Sequence, residues 1–115
     1  MLERGNLFRN VPERAADEHF DILLRRPGLR IERIVSHGHA SPPDFWYDQP
    51  ADEWVVVLSG SAVITYENGE ENILMPGDWF FIPTHRRHRV SRTSAGEPTV
   101  WLAVHIDAQA GIGPQ

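Results

Sequence analysis

The chain has no cysteine. That excludes disulfides, thiolate-ligated zinc and thiol catalysis, and it suits a reducing cytoplasm. No apolar run approaches the roughly 18–20 residues that cross a bilayer. Met1-Leu2-Glu3-Arg4-Gly5 carries no apolar segment of the signal-peptide kind, so the expectation is a cytoplasmic protein without membrane contact. A basic excess is also missing. The net charge of −5 argues against a general nucleic-acid partner, because phosphate backbones are bound by clustered Lys and Arg. One cluster, Arg86-Arg87 with Arg89 and Arg92, stands out against this acidic background. There is no phosphate-cradling Gly-rich loop, dinucleotide fingerprint, Gly-x-Ser-x-Gly elbow or His-Glu-x-x-His pair. Ser36, His37 and Asp44 occur in no arrangement that singles out a nucleophile.

What is present suits one folded domain. The 115 residues are 41% hydrophobic with four Trp and five Phe, enough for a single core. Residues 1–15 read as an arm. Asp17 to Leu24 predicts a short helix, capped by Asp17, with Phe20, Leu23 and Leu24 on one face and Pro27-Gly28 ending it. From Leu29 onward the pattern is strand and turn. Leu29, Ile31 and Arg33 alternate with Arg30 and Glu32, and Ile34-Val35 close the run. The β-branched run Glu53 to Leu58 predicts a strand buried on both faces. Further strands follow at Ala62–Tyr66, Glu71–Leu74, Trp79–Ile82, His88–Thr93 and Thr99–Ile106. Asn68-Gly69 predicts a two-residue type I′ hairpin, whose central residues both need positive φ. Residues 1–28 thus form an arm and short helix, 29–107 an all-β unit, and 108–115 a Gly/Pro-rich flexible tail.

One stretch carries a spaced pattern. Glu53 and Gly60 are separated by six residues, and Gly77, Pro83 and His88 fall at Gly-x5-Pro-x4-His. This resembles the two sequence motifs of the cupin superfamily, in its small single-domain cupin-2-like form. The resemblance implies a jelly-roll-like β-barrel whose mouth often holds one metal ion. Residues two apart on a strand share a face, so neighbouring strands can aim several ligands at one point. In this chain Glu53 and Gly60 fit the first motif and His88 the second. The two histidine positions of the first motif hold Tyr47 and Gln49, and His85 stands where the family usually has glycine.

The ligand set implied by the resemblance is Glu53 and His88, joined by Gln49 and by His85. The ion would be a divalent transition metal: iron, manganese, nickel or zinc. Plainer readings stand beside it. Glu53 can be a buried acid hydrogen-bonded to Tyr47 or Gln49, His88 can pair with Glu53 directly, and His85 can be a solvated turn residue. His37-Gly38-His39 lies too far before Glu53 to replace the missing pair. Tyr47, Trp79, Trp101 and His105, with Trp54, are candidates for the wall of a ligand pocket, or simply for the filling of a small barrel. The arginine cluster can neutralise an anion at the mouth or be a solvated surface.

The expected function is a small-molecule pocket, with Glu53 and His88 as metal ligands or as an acid–base pair. As an enzyme the resemblance implies metal-dependent oxygenase, isomerase or lyase chemistry on a small polar substrate. The alternative is a metal-free ligand-binding or sensory cupin. A homodimer is compatible with either.

Overall fold

A computed structural model describes residues 3–13 and 16–107. Among these residues there are eight strands and no helix: β1 (His19–Arg26), β2 (Leu29–Ser36), β3 (Ala51–Ser59), β4 (Ala62–Tyr66), β5 (Glu71–Leu74), β6 (Trp79–Ile82), β7 (His88–Thr93) and β8 (Thr99–Asp107). The tail assigned to 108–115 lies outside the described residues. The strands form two antiparallel sheets, β1-β2-β8-β3-β6 and β5-β4-β7, rather than one continuous ring. The core joins Ile34, Val55, Val57, Trp101 and Ala103 of the larger sheet to Ala62, Ile64 and Leu74 of the smaller. The two sheets therefore face one another across an apolar interior.

The helix expected over Asp17–Leu24 is not formed. His19–Arg26 is strand β1, paired antiparallel with β2 from His19↔Val35 to Arg26↔Leu29, with a bulge between Ile22 and Leu24. Two periodicities compete in this segment. Phe20, Leu23 and Leu24 have helical spacing, while Phe20 and Ile22 also alternate. The tight turn at Pro27-Gly28 (Gly28 φ 74) brings the segment back along β2, and the open edge of that strand supplies the ladder. Tertiary pairing overrides a weak local helical preference. This strand belongs to the same sheet as β2 and β8, so residues 19–26 are part of the β unit rather than of a separate arm.

Two local readings also change. In β3 burial alternates: Glu53, Val55 and Val57 are buried, while Trp54, Val56 and Leu58 are only partly so. One face of β3 meets the interior, and the other carries Trp54 stacked on Trp79 at 6.3 Å between ring centroids. The β4–β5 turn is not type I′. Gly69 N–H donates to Tyr66 O at 2.9 Å and Tyr66 N–H to Glu70 O at 2.9 Å, and Gly69 (φ 90) has positive φ whereas Asn68 does not. This is a three-residue loop closed by a left-handed glycine.

β2 is the strand buried on both sides from Glu32 to Ser36, because the arm covers its outer face. Arg33 reaches out to the carbonyls of Leu7 (3.1 Å) and Arg9 (2.7 Å) and holds Asp21 through Nε at 2.9 Å. His37 and His39 continue the clamp, donating to Pro12 O at 2.6 Å and Ala16 O at 2.9 Å. Gly60 is required by close approach. It has φ +80, and a Cβ there would lie 2.7 Å from the Thr99 Cα.

Candidate functional site

Between the sheets lies a cavity of about 360 Å³, within the range of small-molecule sites. Alternation places its polar side chains. Adjacent strands β2, β8 and β3 put Arg30, His105 and Glu53 in one cross-strand row, through Arg30↔His105 and His105↔Glu53. All three line the cavity, as do Glu18, Glu32, Tyr47, Gln49 and His88.

Glu53 is the centre of the first group. Gln49 Nε2 donates to Glu53 Oε1 at 2.9 Å, and His88 Nε2 stands 3.9 Å from the same oxygen. His88 Nδ1–H donates to the Arg86 carbonyl at 2.9 Å. A carbonyl can only accept, so Nδ1 carries that hydrogen and Nε2 is the nitrogen presented to Glu53. Tyr47 stacks on the His88 ring at 5.5 Å. Burial, together with the charges of Glu18 and Glu53, pushes its phenol above the ordinary value despite a hydrogen bond with Ser41.

A second group lies across the row. His105 Nε2 donates to Glu32 Oε1 at 2.9 Å, with both side chains about nine-tenths buried. Burial alone would raise the Glu32 carboxyl. The hydrogen bond and charge of His105, with Arg30 and Arg25, outweigh it and hold the group below its usual range. Ser36 Oγ donates to Glu18 at 2.6 Å and accepts from Trp101 Nε1 at 3.2 Å, which fixes a third carboxylate on the wall.

Of the residues expected at the site, the structure brings Tyr47, Gln49, Glu53, His88, Trp101 and His105 to one cavity. Two expected residues are elsewhere. Trp79 is 63% exposed on the outer face of β6, against Trp54; it pairs with Val56, whose side chain also points away from the interior. His85 occupies a left-handed turn (φ 60) with Nδ1 2.6 Å from Asp48 Oδ1, exposed and outside the cavity lining. The arginine cluster does not reach the cavity either. Arg86 lies 3.7 Å over the Tyr66 ring, Arg87 pairs with Glu67 at 2.6 Å, and Arg89 donates to Ser41 O at 2.9 Å.

Sequence reasoning missed Glu18, Arg30 and Glu32. The signal for the last two was the alternation Arg30, Glu32, Ile34, which is the inward face of β2. Leu29, Ile31 and Arg33 drew attention to the opposite face, which the arm covers. Among the described residues, no group of three or more His, Cys, Asp or Glu side chains is placed to hold a metal ion.

The motif spacing, the two facing sheets and the cavity between them agree with a family match to the cupin domain over residues 32–105. The chain is a cupin. It is 59% identical to a candidate mannose-6-phosphate isomerase of Ralstonia eutropha JMP134, over 93% of this chain and 100% of that one, with TM-score 0.90. A cupin superfamily protein of Desulfitobacterium hafniense DCB-2 shares the fold at 18% identity, over 92% of this cupin and 93% of that chain, with TM-score 0.73. A chain from a structure of DMSP lyases is 25% identical over 76% of this cupin but only 43% of its own length, with TM-score 0.59. A comparison with curated proteins gave no match.

Proposed function

We propose that this cupin binds a small polar molecule in the cavity between its sheets and moves a proton on it, in an isomerase-type reaction on a sugar-like substrate. The observation that carries the reading is the meeting of Glu53 and His88 in one cavity, with Nε2 and Oε1 3.9 Å apart and each side chain fixed from behind. Glu53, steadied by Gln49, takes the proton from the carbon next to a substrate carbonyl and returns it to the neighbouring carbon. His88 Nε2 passes the hydroxyl proton between the two oxygens, so the molecule leaves as an isomer with no net change. The name of the Ralstonia relative supports this choice of reaction class.

The same side chains partly suit a metal. Two coordinate bonds of about 2.0–2.2 Å each can span the gap between Glu53 and His88. The Arg86 carbonyl orients the imidazole as an outer partner of a metal ligand would. Gln49 presents its nitrogen to Glu53, so its amide would have to turn to offer oxygen. Iron, manganese, nickel or zinc would be held by Glu53, His88 and that amide, and would polarise a substrate carbonyl. This sparse donor set favours a second reading, a cupin that binds its ligand without metal and without catalysis.

Elemental analysis of protein purified without chelator, beside an aldose–ketose isomerisation assay, tests both readings. Turnover lost in Glu53→Gln and His88→Asn, with folding intact, supports the enzyme. Ligand-dependent stabilisation with no turnover at any metal loading supports the binding protein. A homodimer in the cytoplasm belongs to the same reading; sedimentation checks the dimer and cell fractionation the compartment.

A further inference from the structure

Among the described residues the cavity is lined by one arginine, Arg30. Its Nε is buried with no hydrogen-bond partner among them. The nearest carboxylate oxygen, Glu32 Oε2, is 3.6 Å away, beyond the 2.7–3.2 Å of a hydrogen bond. Glu32 does not swing closer because its other oxygen is held by His105 at 2.9 Å. Glu32 therefore offsets the charge of Arg30 without a hydrogen bond to its Nε. The Arg30 side chain lines the cavity and is 41% exposed although its Nε is buried, so other atoms of it are open to solvent. Arg86, Arg87 and Arg89 lie outside the cavity lining and are engaged on Tyr66, Glu67 and Ser41, while Arg25, opposite Arg30 in the β1–β2 pairing, adds positive charge beside Glu32.

We infer that Arg30 is the anion anchor of this cavity, and that the ligand carries a phosphate or carboxylate group at the end remote from Glu53. The inference rests on the proposed binding role of the cavity and adds the chemical class of what binds. A guanidinium offers paired N–H donors in a fork that matches both anions. Its position sets the ligand's direction. Arg30 and Glu53 lie on either side of His105 in the cross-strand row, about two strand spacings of 4.7–4.9 Å apart at the backbone. That suits a short sugar or sugar-acid chain with its anion at one end and its reacting carbon at the other. Two carboxylates, Glu18 and Glu53, act on the Tyr47 end with no arginine beside them in the lining, whereas Glu32 at the other end is offset by Arg30, which makes the reverse orientation unfavourable.

The experiment is calorimetric titration of the whole chain with mannose 6-phosphate, mannonate and mannose, using wild type, Arg30→Gln, Arg30→Lys and Arg87→Gln. The two anionic probes separate phosphate from carboxylate recognition. The expected result is tighter binding of at least one anion than of mannose. Arg30→Gln should weaken that anion roughly 10- to 100-fold, the cost of a lost charge-assisted hydrogen bond. Arg30→Lys should weaken it less, and Arg87→Gln not at all. A matching thermal melt for Arg30→Gln and Arg30→Lys shows that both fold. Mannose binding as tightly as the anions, or anion affinity unchanged in Arg30→Gln, overturns the anchor while leaving the cavity as a binding site. Wild type that binds none of the three overturns the binding role and the anchor together.

Discussion

Tyr47 and His88 are joined twice. Their backbones exchange hydrogen bonds, Tyr47 N–H to His88 O at 2.7 Å and His88 N–H to Tyr47 O at 3.1 Å, and their rings stack at 5.5 Å with 25° between planes. The bridge ties the long β2–β3 connection to β7, in the smaller sheet, and the ring fixes the face of the imidazole that looks into the cavity. The Tyr47 hydroxyl is the lesser part of this role. Tyr47→Phe should change stability by under about 1 kcal/mol. Tyr47→Ala should cost about 2 kcal/mol through lost packing of a half-buried ring and should weaken ligand binding by freeing His88. Urea melts of the two variants compare these values, and equal losses would mean that the hydroxyl, not the ring, does the holding.

Tyr47 and Gln49 also occupy the two positions that hold histidines in the cupin motif. Both line the cavity beside Glu53 and His88. The double substitution Tyr47→His with Gln49→His should therefore create a site of three imidazoles and one carboxylate, closer to the full donor set of a transition ion. Bound nickel or zinc per chain should rise to near one, with an affinity well above wild type. Chelator titration measures this, and no gain over wild type would show that the backbone around residue 47 does not aim a side chain at Glu53.

His85 holds a left-handed conformation that costs a non-glycine residue about 1 kcal/mol. Its exposed pairing with Asp48 returns about 0–1 kcal/mol. His85→Gly should leave stability unchanged or raise it by up to about 1 kcal/mol, and should leave metal content and ligand affinity untouched. A drop in bound metal in this variant would restore His85 to the site.

The parts of the fold and site that could be read in the sequence were those encoded by local spacing. Gly60 and Gly77 mark turns, His88 starts β7 and Glu53 lies two residues into β3, and the strands after Leu29 follow from alternation and turn residues. The meeting of Glu53 and His88 was legible because a known motif carries it. Glu32–His105 was not, because its partners are 73 residues apart and meet only through the β2–β8 pairing. The inward face of β2 was hidden for a related reason. An arm held by Arg33, His37 and His39 buries the outer face as well, so burial no longer tells the faces apart. β1 was misread because its leucines satisfy helical spacing, and only the neighbouring strand decides between the two periods.

Two carboxylates make the fold sensitive to acid. Burial alone would raise Asp21, but hydrogen bonds and charge from Arg33 and His19 hold it below its ordinary 3.8. Glu32 is held below its ordinary 4.5, against its burial, chiefly by His105. A carboxyl whose folded pKa is depressed stabilises the fold fully above its unfolded pKa, and that stability is lost as pH falls through the folded value. Stability should therefore be flat with respect to these two groups from pH 7 down to about 5, then fall below about pH 4.5 as Glu32 and Asp21 take up protons. Glu32→Gln should be less stable than wild type at pH 7 and should lose less on acidification, so the two curves converge as pH falls. Arg33→Ala should do the same for Asp21 at greater cost, about 2–3 kcal/mol at pH 7, because it also strands the Leu7 and Arg9 carbonyls. Denaturant melts from pH 3 to 7 measure all three proteins. Parallel curves, offset by a constant at every pH, would show that neither carboxylate's pairing contributes to the acid limit.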